Sequence, residues 1–228
     1  MTKFVRQSFV GMFDRDSGGV LADLEFEACY FEGCGLSITR SPSLRTVVRQ
    51  TKLLDCEQRG SQVDCCVFDE VLVEDLKTNG LLQTWAAVFR HVSLRGKIGR
   101  VMFSDVVAAG IASREEQREF DRANEEFYAA VDWAIDISEA QFEECDLRGV
   151  PARLVRRDPS TQAVVTREAA MAGGWRNVDL SKTYWATAIE LFLQSQRADV
   201  VLVAPRRHRK FKDLLEGLHR LRECGAAE

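Results

Sequence analysis

Residues 25–38 read EFEACYFEGCGLSI. Phe26, Phe31 and Leu36 fall five apart, and Cys29 and Cys34 stand two before the last two of them. Neither regular secondary structure has that period. An amphipathic helix repeats apolar residues at i, i+3, i+4 and i+7, and a half-buried strand alternates. A period of five fits a coil with four short faces of five residues each. On each face the middle residue points inward. The residue two before it also points inward, near the corner, and must be small. The positions between face water and can be charged.

The pattern returns further on. Leu21 extends the first run backwards. Cys66-Val67-Phe68-Asp69-Glu70 leads in frame into Val71-Leu72-Val73-Glu74-Asp75. Val92-Ser93-Leu94-Arg95-Gly96 is a further copy. Ala140-Gln141-Phe142-Glu143-Glu144 runs into Cys145-Asp146-Leu147-Arg148-Gly149, and Val178-Asp179-Leu180-Ser181-Lys182 is a late copy. Residues 39–65 and 76–91 fit the frame poorly. The expected core is Phe26, Phe31, Leu36, Phe68, Leu94, Phe142 and Leu147. One such coil cannot bury its own apolar side, so coils must stack, at the strand spacing of about 4.8 Å.

In these copies the chain resembles the pentapeptide-repeat family, whose consensus is a small residue, Asp or Asn, Leu or Phe, then two polar residues. The resemblance covers about half the chain, in patches. It implies a right-handed, four-sided parallel β-helix, irregular here. Members of that family are mostly not enzymes. Some present a rod that mimics duplex DNA in shape and charge and acts on DNA gyrase. This chain shares the acidic tendency, but a helical segment interrupts a smooth rod.

That segment is ASREEQREFDRANEEFYAAVDWA, residues 112–134. Ser113 and Glu116 form a capping-box pair, and Phe120, Ala123, Phe127, Ala130, Val131 and Ala134 make a helical stripe. Beyond it, Asp158-Pro159-Ser160 marks a turn whose flanks, 152–156 and 163–166, are expected to pair as a hairpin. Helices are expected over 183–196 and 209–224, with a short buried strand over 198–204 between them. The expected fold is therefore mainly β with helices. Residues 1–110 and 137–183 are coils and the hairpin, 111–136 a helical insertion, and 184–228 a helix–strand–helix α/β cap.

Net charge is −4 over 228 residues, but unevenly spread. Residues 111–149 hold 12 acids against 4 bases, a net −8, and residues 151–228 hold 9 acids against 14 bases, a net +5. The N-terminus lacks an apolar run of the roughly 7–15 residues that a signal peptide needs. No run reaches the ~18 apolar residues of a membrane span. Seven cysteines without a secretion signal point to free thiols in the cytoplasm.

Chemistry-bearing patterns are sparse. Cys29 and Cys34 have a zinc-compatible separation, yet no second pair or histidine cluster follows, so no metal is expected. His91, His208 and His219 form no HExxH, and no phosphate-cradling glycine loop occurs. No catalytic or cofactor-binding residue is assigned. The densest charge feature is Arg206, Arg207, Arg209 and Lys210, a candidate for contact with a partner or with phosphate. The leading expectation is a non-catalytic scaffold that binds another protein. One alternative is a nucleic-acid-associated protein using that basic run. A second is a carbohydrate-active enzyme with carboxylates on a β-helix face. A homodimer through an uncapped coil end, or through the C-terminal helices, is also expected.

Overall fold

A computed structural model describes residues 1–228. The chain makes successive passes of short strands. The first holds β1 (Thr2–Val5), β2 (Ser8–Val10), β3 (Phe13–Arg15) and β4 (Val20–Ala22). The second holds β5 (Leu24–Glu27), β6 (Tyr30–Glu32) and β7 (Gly35–Ile38), and the third β8 (Val47–Leu54), β9 (Glu57–Arg59) and β10 (Gln62–Asp64). Next come β11 (Val67–Glu74), β12 (Lys77–Asn79) and β13 (Leu81–Trp85), then β14 (Val88–Arg90) and β15 (Val92–Ser104). Helix α1 (Arg114–Ala129) follows, then β16 (Ile135–Asp136), β17 (Ala140–Leu147), β18 (Val155–Arg156) and β19 (Gln162–Thr166). The chain closes with α2 (Arg167–Ala172), α3 (Trp185–Gln194), β20 (Asp199–Val203) and α4 (Phe211–Glu223).

The protein is thus mainly β, with four helices. A sixteen-stranded sheet curls into a half-barrel, and a second sheet has the order β12-β9-β6-β2. Pairing is parallel except where β20 meets β17 and β19.

The register shows why the five-residue period works. Phe4 pairs with Phe26, Phe26 with Leu53, Leu53 with Val73 and Val73 with Leu94. A second ladder runs Phe9, Phe31, Gln58, Thr78. A third runs Leu36, Val63, Thr84, Phe103, Leu147. A fourth runs Leu21, Val48, Phe68, Phe89. Phenylalanine stacks on phenylalanine where the first two ladders begin, the rings of Phe4 and Phe26 lying 5.2 Å apart and those of Phe9 and Phe31 5.1 Å, while polar Gln58, Thr78 and Thr84 take ladder positions further on.

Between the ladders the backbone turns through the left-handed region at every fifth residue. Arg6, Gly11 and Asp16 have positive φ, as do Asp23, Ala28 and Gly33. The series Gln50, Asp55, Gly60, Cys65, Glu70, Asp75, Gly80 is unbroken. These are the corners. They also run through residues 47–64 and 76–90, which the sequence frame did not fit, so those stretches carry strands after all.

Leu94, Phe142 and Leu147 are buried in the main core, and Phe26, Phe31, Leu36 and Phe68 are half-buried against it. The corner thiols are part of this packing. Cys29 Sγ–H donates to the Phe4 carbonyl at 3.4 Å, and Cys34 Sγ–H to that of Phe9 at 3.4 Å. Cys29, Cys66 and Cys145 are buried, all seven cysteines are free, and Cys224 is exposed.

Two expectations fail. The hairpin across Asp158–Ser160 does not form, because β18 pairs in parallel with β16 while β19 pairs with β20. The late repeat copy at 178–182 is no strand, and Leu180 instead packs into a second core with Trp175, Trp185, Ile189 and Leu218. That core lies between β19, β20 and helices α2–α4. Helix α2, not anticipated, starts where the Thr166 side chain accepts from Ala169 N–H at 3.2 Å.

Candidate functional site

Helix α1 leaves the sheet between β15 and β16 and returns to it without disturbing the ladder. Val92 of β15 pairs with Ile135 of β16, and Gly96 of β15 with Ala140 of β17. Its start is fixed locally. The Ser113 side chain accepts from Glu116 N–H, and the Glu116 carboxylate accepts from Ser113 N–H at 2.6 Å. Glu116 also pairs with Arg40 at 3.0 Å. The Arg40 guanidinium and the Ser113 contacts together hold its carboxyl down to about 2.

The inner face is held by a buried cation. Arg45 Nη2 donates to Asn124 Oδ1 at 2.6 Å and to the Ala86 carbonyl at 3.1 Å. Phe120 is fully buried with Cys65, Ala86 and Val107. Burial lowers the Arg45 pKa and pushes the Cys65 thiol up to about 12. Past the helix, Asp132 meets His91 Nε2 at 2.6 Å and Arg156 lies 4.0 Å over the Trp133 ring.

The outer face is different. Glu115, Glu119, Glu125 and Glu126 are exposed and enter no ion pair, and neither do Arg114, Arg118 or Arg122. The spacings allow pairing along the helix, but Arg40, from a distant loop, takes the one acid that is ion-paired, and Asp121 accepts from Gln117 Nε2 at 2.7 Å. The helix therefore presents four glutamates and three arginines without ion-pair partners to solvent, a small acidic excess.

The basic run is split in two. Arg206 donates to Asp158 at 2.7 Å. Against the desolvation that raises it, hydrogen bonds from Ser160, Arg206 and Thr161 hold Asp158 down to about 2. Arg207 donates from its backbone N–H to the Phe142 carbonyl at 3.0 Å and from Nη1 to that of Ile98 at 3.2 Å. Arg207 thus ties the C-terminal layer to the main sheet, and Arg206 fixes the loop between β18 and β19. Arg209 and Lys210, with Lys212, are exposed and make no ion pair.

One cavity, of about 240 Å³, opens where β17 and β20 part beyond the Leu147–Val201 bridge. Cys145, Leu147, Tyr184, Leu191, Val201 and Val203 are among its walls. Burial raises the Tyr184 hydroxyl pKa, with Cys145, Glu144 and Asp146 adding to it. The charged groups at its rim are taken: Glu144 by Arg100, Asp146 by Arg148, and Arg197 by Asp105.

Sequence reasoning found the capping box and the helix but not Arg45, the residue that locks it. The signal was an arginine amid Ser-Leu-Arg-Thr-Val, a segment with no charged neighbour to satisfy it. No helix is long and apolar enough to cross a membrane. No protein-family model matches the chain, and no curated protein matches it.

Proposed function

We propose that this chain is an irregular right-handed parallel β-helix of the pentapeptide-repeat type and works as a non-catalytic protein-interaction scaffold, with α1 as its recognition element. The four ladders and the left-handed corner at every fifth residue support the fold reading. The observation that carries the functional reading is the contrast between the two faces of α1. The inner face is anchored through Arg45 and Phe120, and the outer face holds Glu115, Glu119, Glu125 and Glu126 without intramolecular partners. Preorganised charge of this kind steers association and selects a partner of opposite sign. The partner is a protein with a basic surface.

The test is affinity capture from host lysate at moderate salt, with nuclease, comparing the parent with a Glu119→Lys/Glu125→Lys/Glu126→Lys variant. A stoichiometric protein bound by the parent and lost from the variant supports the reading. The same protein retained by both removes α1 as the recognition element. The free cations Arg209, Lys210 and Lys212 favour a second reading, contact with nucleic acid. That reading requires salt-dependent binding that disappears in Arg209→Ala/Lys210→Ala.

A further inference from the structure

Between the main sheet and the C-terminal layer the strands part. The backbone of β17 meets that layer at Leu147, which pairs with Val201, and at the Phe142 carbonyl, which accepts from Arg207 N–H at 3.0 Å. β20 pairs instead with β19 along its whole length, from Asp199 to Val203. Past Val203 the chain runs into Pro205, which has no N–H to extend a ladder. Helix α3 lies across the gap. Its Trp185, Ile189 and Phe192 enter the second core, and its Tyr184, Ala188 and Leu191 line the cavity.

The walls sort by chemistry. Leu147, Leu191, Val201 and Val203 are apolar. Glu144, Asp146, Arg148 and Arg197 are charged, and each is already paired within the chain. The Tyr184 hydroxyl and the Cys145 thiol remain. That thiol is the exception among the seven. Cys29, Cys34, Cys56, Cys65, Cys66 and Cys224 each donate to a backbone carbonyl. Cys145 is only 7% exposed and has no acceptor. A buried donor without a partner is a vacancy in the hydrogen bonding of the fold. At the mouth, Tyr184 and Leu191 stay 38% and 47% exposed, although both are large and apolar in body.

We propose that this cavity binds a small neutral molecule with a ring-sized hydrocarbon body and a hydroxyl or carbonyl group. Three observations select that class. An apolar protein cavity of about 150 Å³ holds benzene, so about 240 Å³ holds a ring with a short substituent and is too small for a helix or strand. Every charged wall residue is compensated, so an ionic ligand would bring an unpaired charge into an apolar site. The Tyr184 hydroxyl donates or accepts and the Cys145 thiol donates, which suits an oxygen-bearing ligand. Burial, with Asp146 and Glu144 beside it, raises the Cys145 pKa well above the ordinary thiol value. The sulfur is therefore a thiol and not a nucleophilic thiolate, and binding is non-covalent. The ligand would touch β17, β20 and α3 together, joining the main sheet to the C-terminal layer where their backbones are least paired. The site is separate from α1 and does not depend on what α1 recognises.

The experiment is fluorine NMR of para-fluorobenzyl alcohol titrated with the full chain. Two companions are run beside it: para-fluorotoluene, which lacks the hydroxyl, and para-fluorobenzoate, which is charged. The alcohol is expected to bind saturably, one molecule per chain, and the benzoate at least about tenfold more weakly. Ala188→Phe, which fills the cavity from α3, is expected to weaken the alcohol at least about tenfold while keeping parent circular dichroism. Tyr184→Phe keeps the ring and removes the hydroxyl. It is expected to weaken the alcohol about threefold to tenfold and to leave para-fluorotoluene unchanged. Should Ala188→Phe lose its fold, Tyr184→Phe decides. No saturable binding of the alcohol, equal binding of the benzoate, an alcohol affinity unmoved by a folded Ala188→Phe, or a Tyr184→Phe variant that does not separate the alcohol from the toluene would each overturn the proposal.

Discussion

The guanidinium carbon of Arg45 lies 4.9 Å from the centre of the Phe120 ring, joining a loop that follows β7 to the inner face of α1. The same guanidinium reaches Asn124 and the Ala86 carbonyl, so one side chain carries both polar and apolar contact between helix and sheet.

Arg45→Ala is therefore expected to destabilise the chain by about 3 kcal/mol, since it leaves Asn124 and a buried carbonyl unpaired and opens a cavity beside Phe120. Arg45→Met, which refills the volume, is expected to lose less. Hydrogen exchange should rise selectively across residues 114–129 in both. Uniform loss of protection over the whole chain would show that α1 is not a separable layer.

Asp64 is fully buried and neither carboxylate oxygen has a hydrogen-bond partner. Burial pushes its pKa up to about 6, above the ~3.9 of an unfolded chain. The folded state thus holds this proton more tightly. The stabilisation is full below about pH 4 and is lost as pH rises through about 6. Asp64→Asn is expected to flatten the melting temperature between about pH 4 and 6 and to gain roughly 1–3 kcal/mol at pH 7. A parent whose stability is level across that window would refute the assignment.

Corner residues other than glycine sit in backbone that glycine tolerates best. Glu70 has φ 54° and Gln50 φ 47°, and both are exposed. Glu70→Gly or Gln50→Gly is expected to gain roughly 0.5 kcal/mol, relief of the left-handed strain outweighing chain entropy. Glu74→Gly, within β11, should lose about 1 kcal/mol. Chemical denaturation of the three variants checks the sign of each.

Core position along the stack sets the penalty for a charge. Phe142 is buried deep in the main core, whereas Phe31 is half-buried in the second pass. Phe142→Glu is expected to abolish folding. Phe31→Glu is expected to lower the melting temperature while leaving near-parent circular dichroism. Equal melting temperatures for parent and both variants would mean that neither ring supports the stack.

The fold was legible where middle and corner residues both obey the rule, as at Phe26, Phe31, Leu36 and their cysteines. It was obscured at residues 47–64, where the ladder positions are Val48, Leu53, Gln58 and Val63 amid Arg49, Thr51 and Lys52. There the recurring corners at Asp55, Gly60 and Cys65 were the better guide. The mispaired hairpin has another cause. Strand-like flanks around a turn signal local pairing, while the actual partners of β18 and β19 lie at residues 135–136 and 199–203. The basic run was legible as charge. That Arg206 and Arg207 are structural ties and Arg209 and Lys210 are free depends on Asp158 and Phe142, which only the folded chain brings near.

The register spacing has a mechanical corollary. Each pass is held mainly by the next, 20 to 27 residues on, as Thr2 is by Leu24, Glu25 by Lys52 and Val47 by Val67. Tension applied at Met1 would peel the passes off one after another, each release paying out roughly 70–90 Å of chain. At the other terminus Glu228 exchanges two backbone hydrogen bonds with Val164, at 3.1 and 2.9 Å. A load there enters the antiparallel β19–β20 pair before it reaches any parallel ladder. The molecule therefore yields in steps from its first residue and resists as a block from its last.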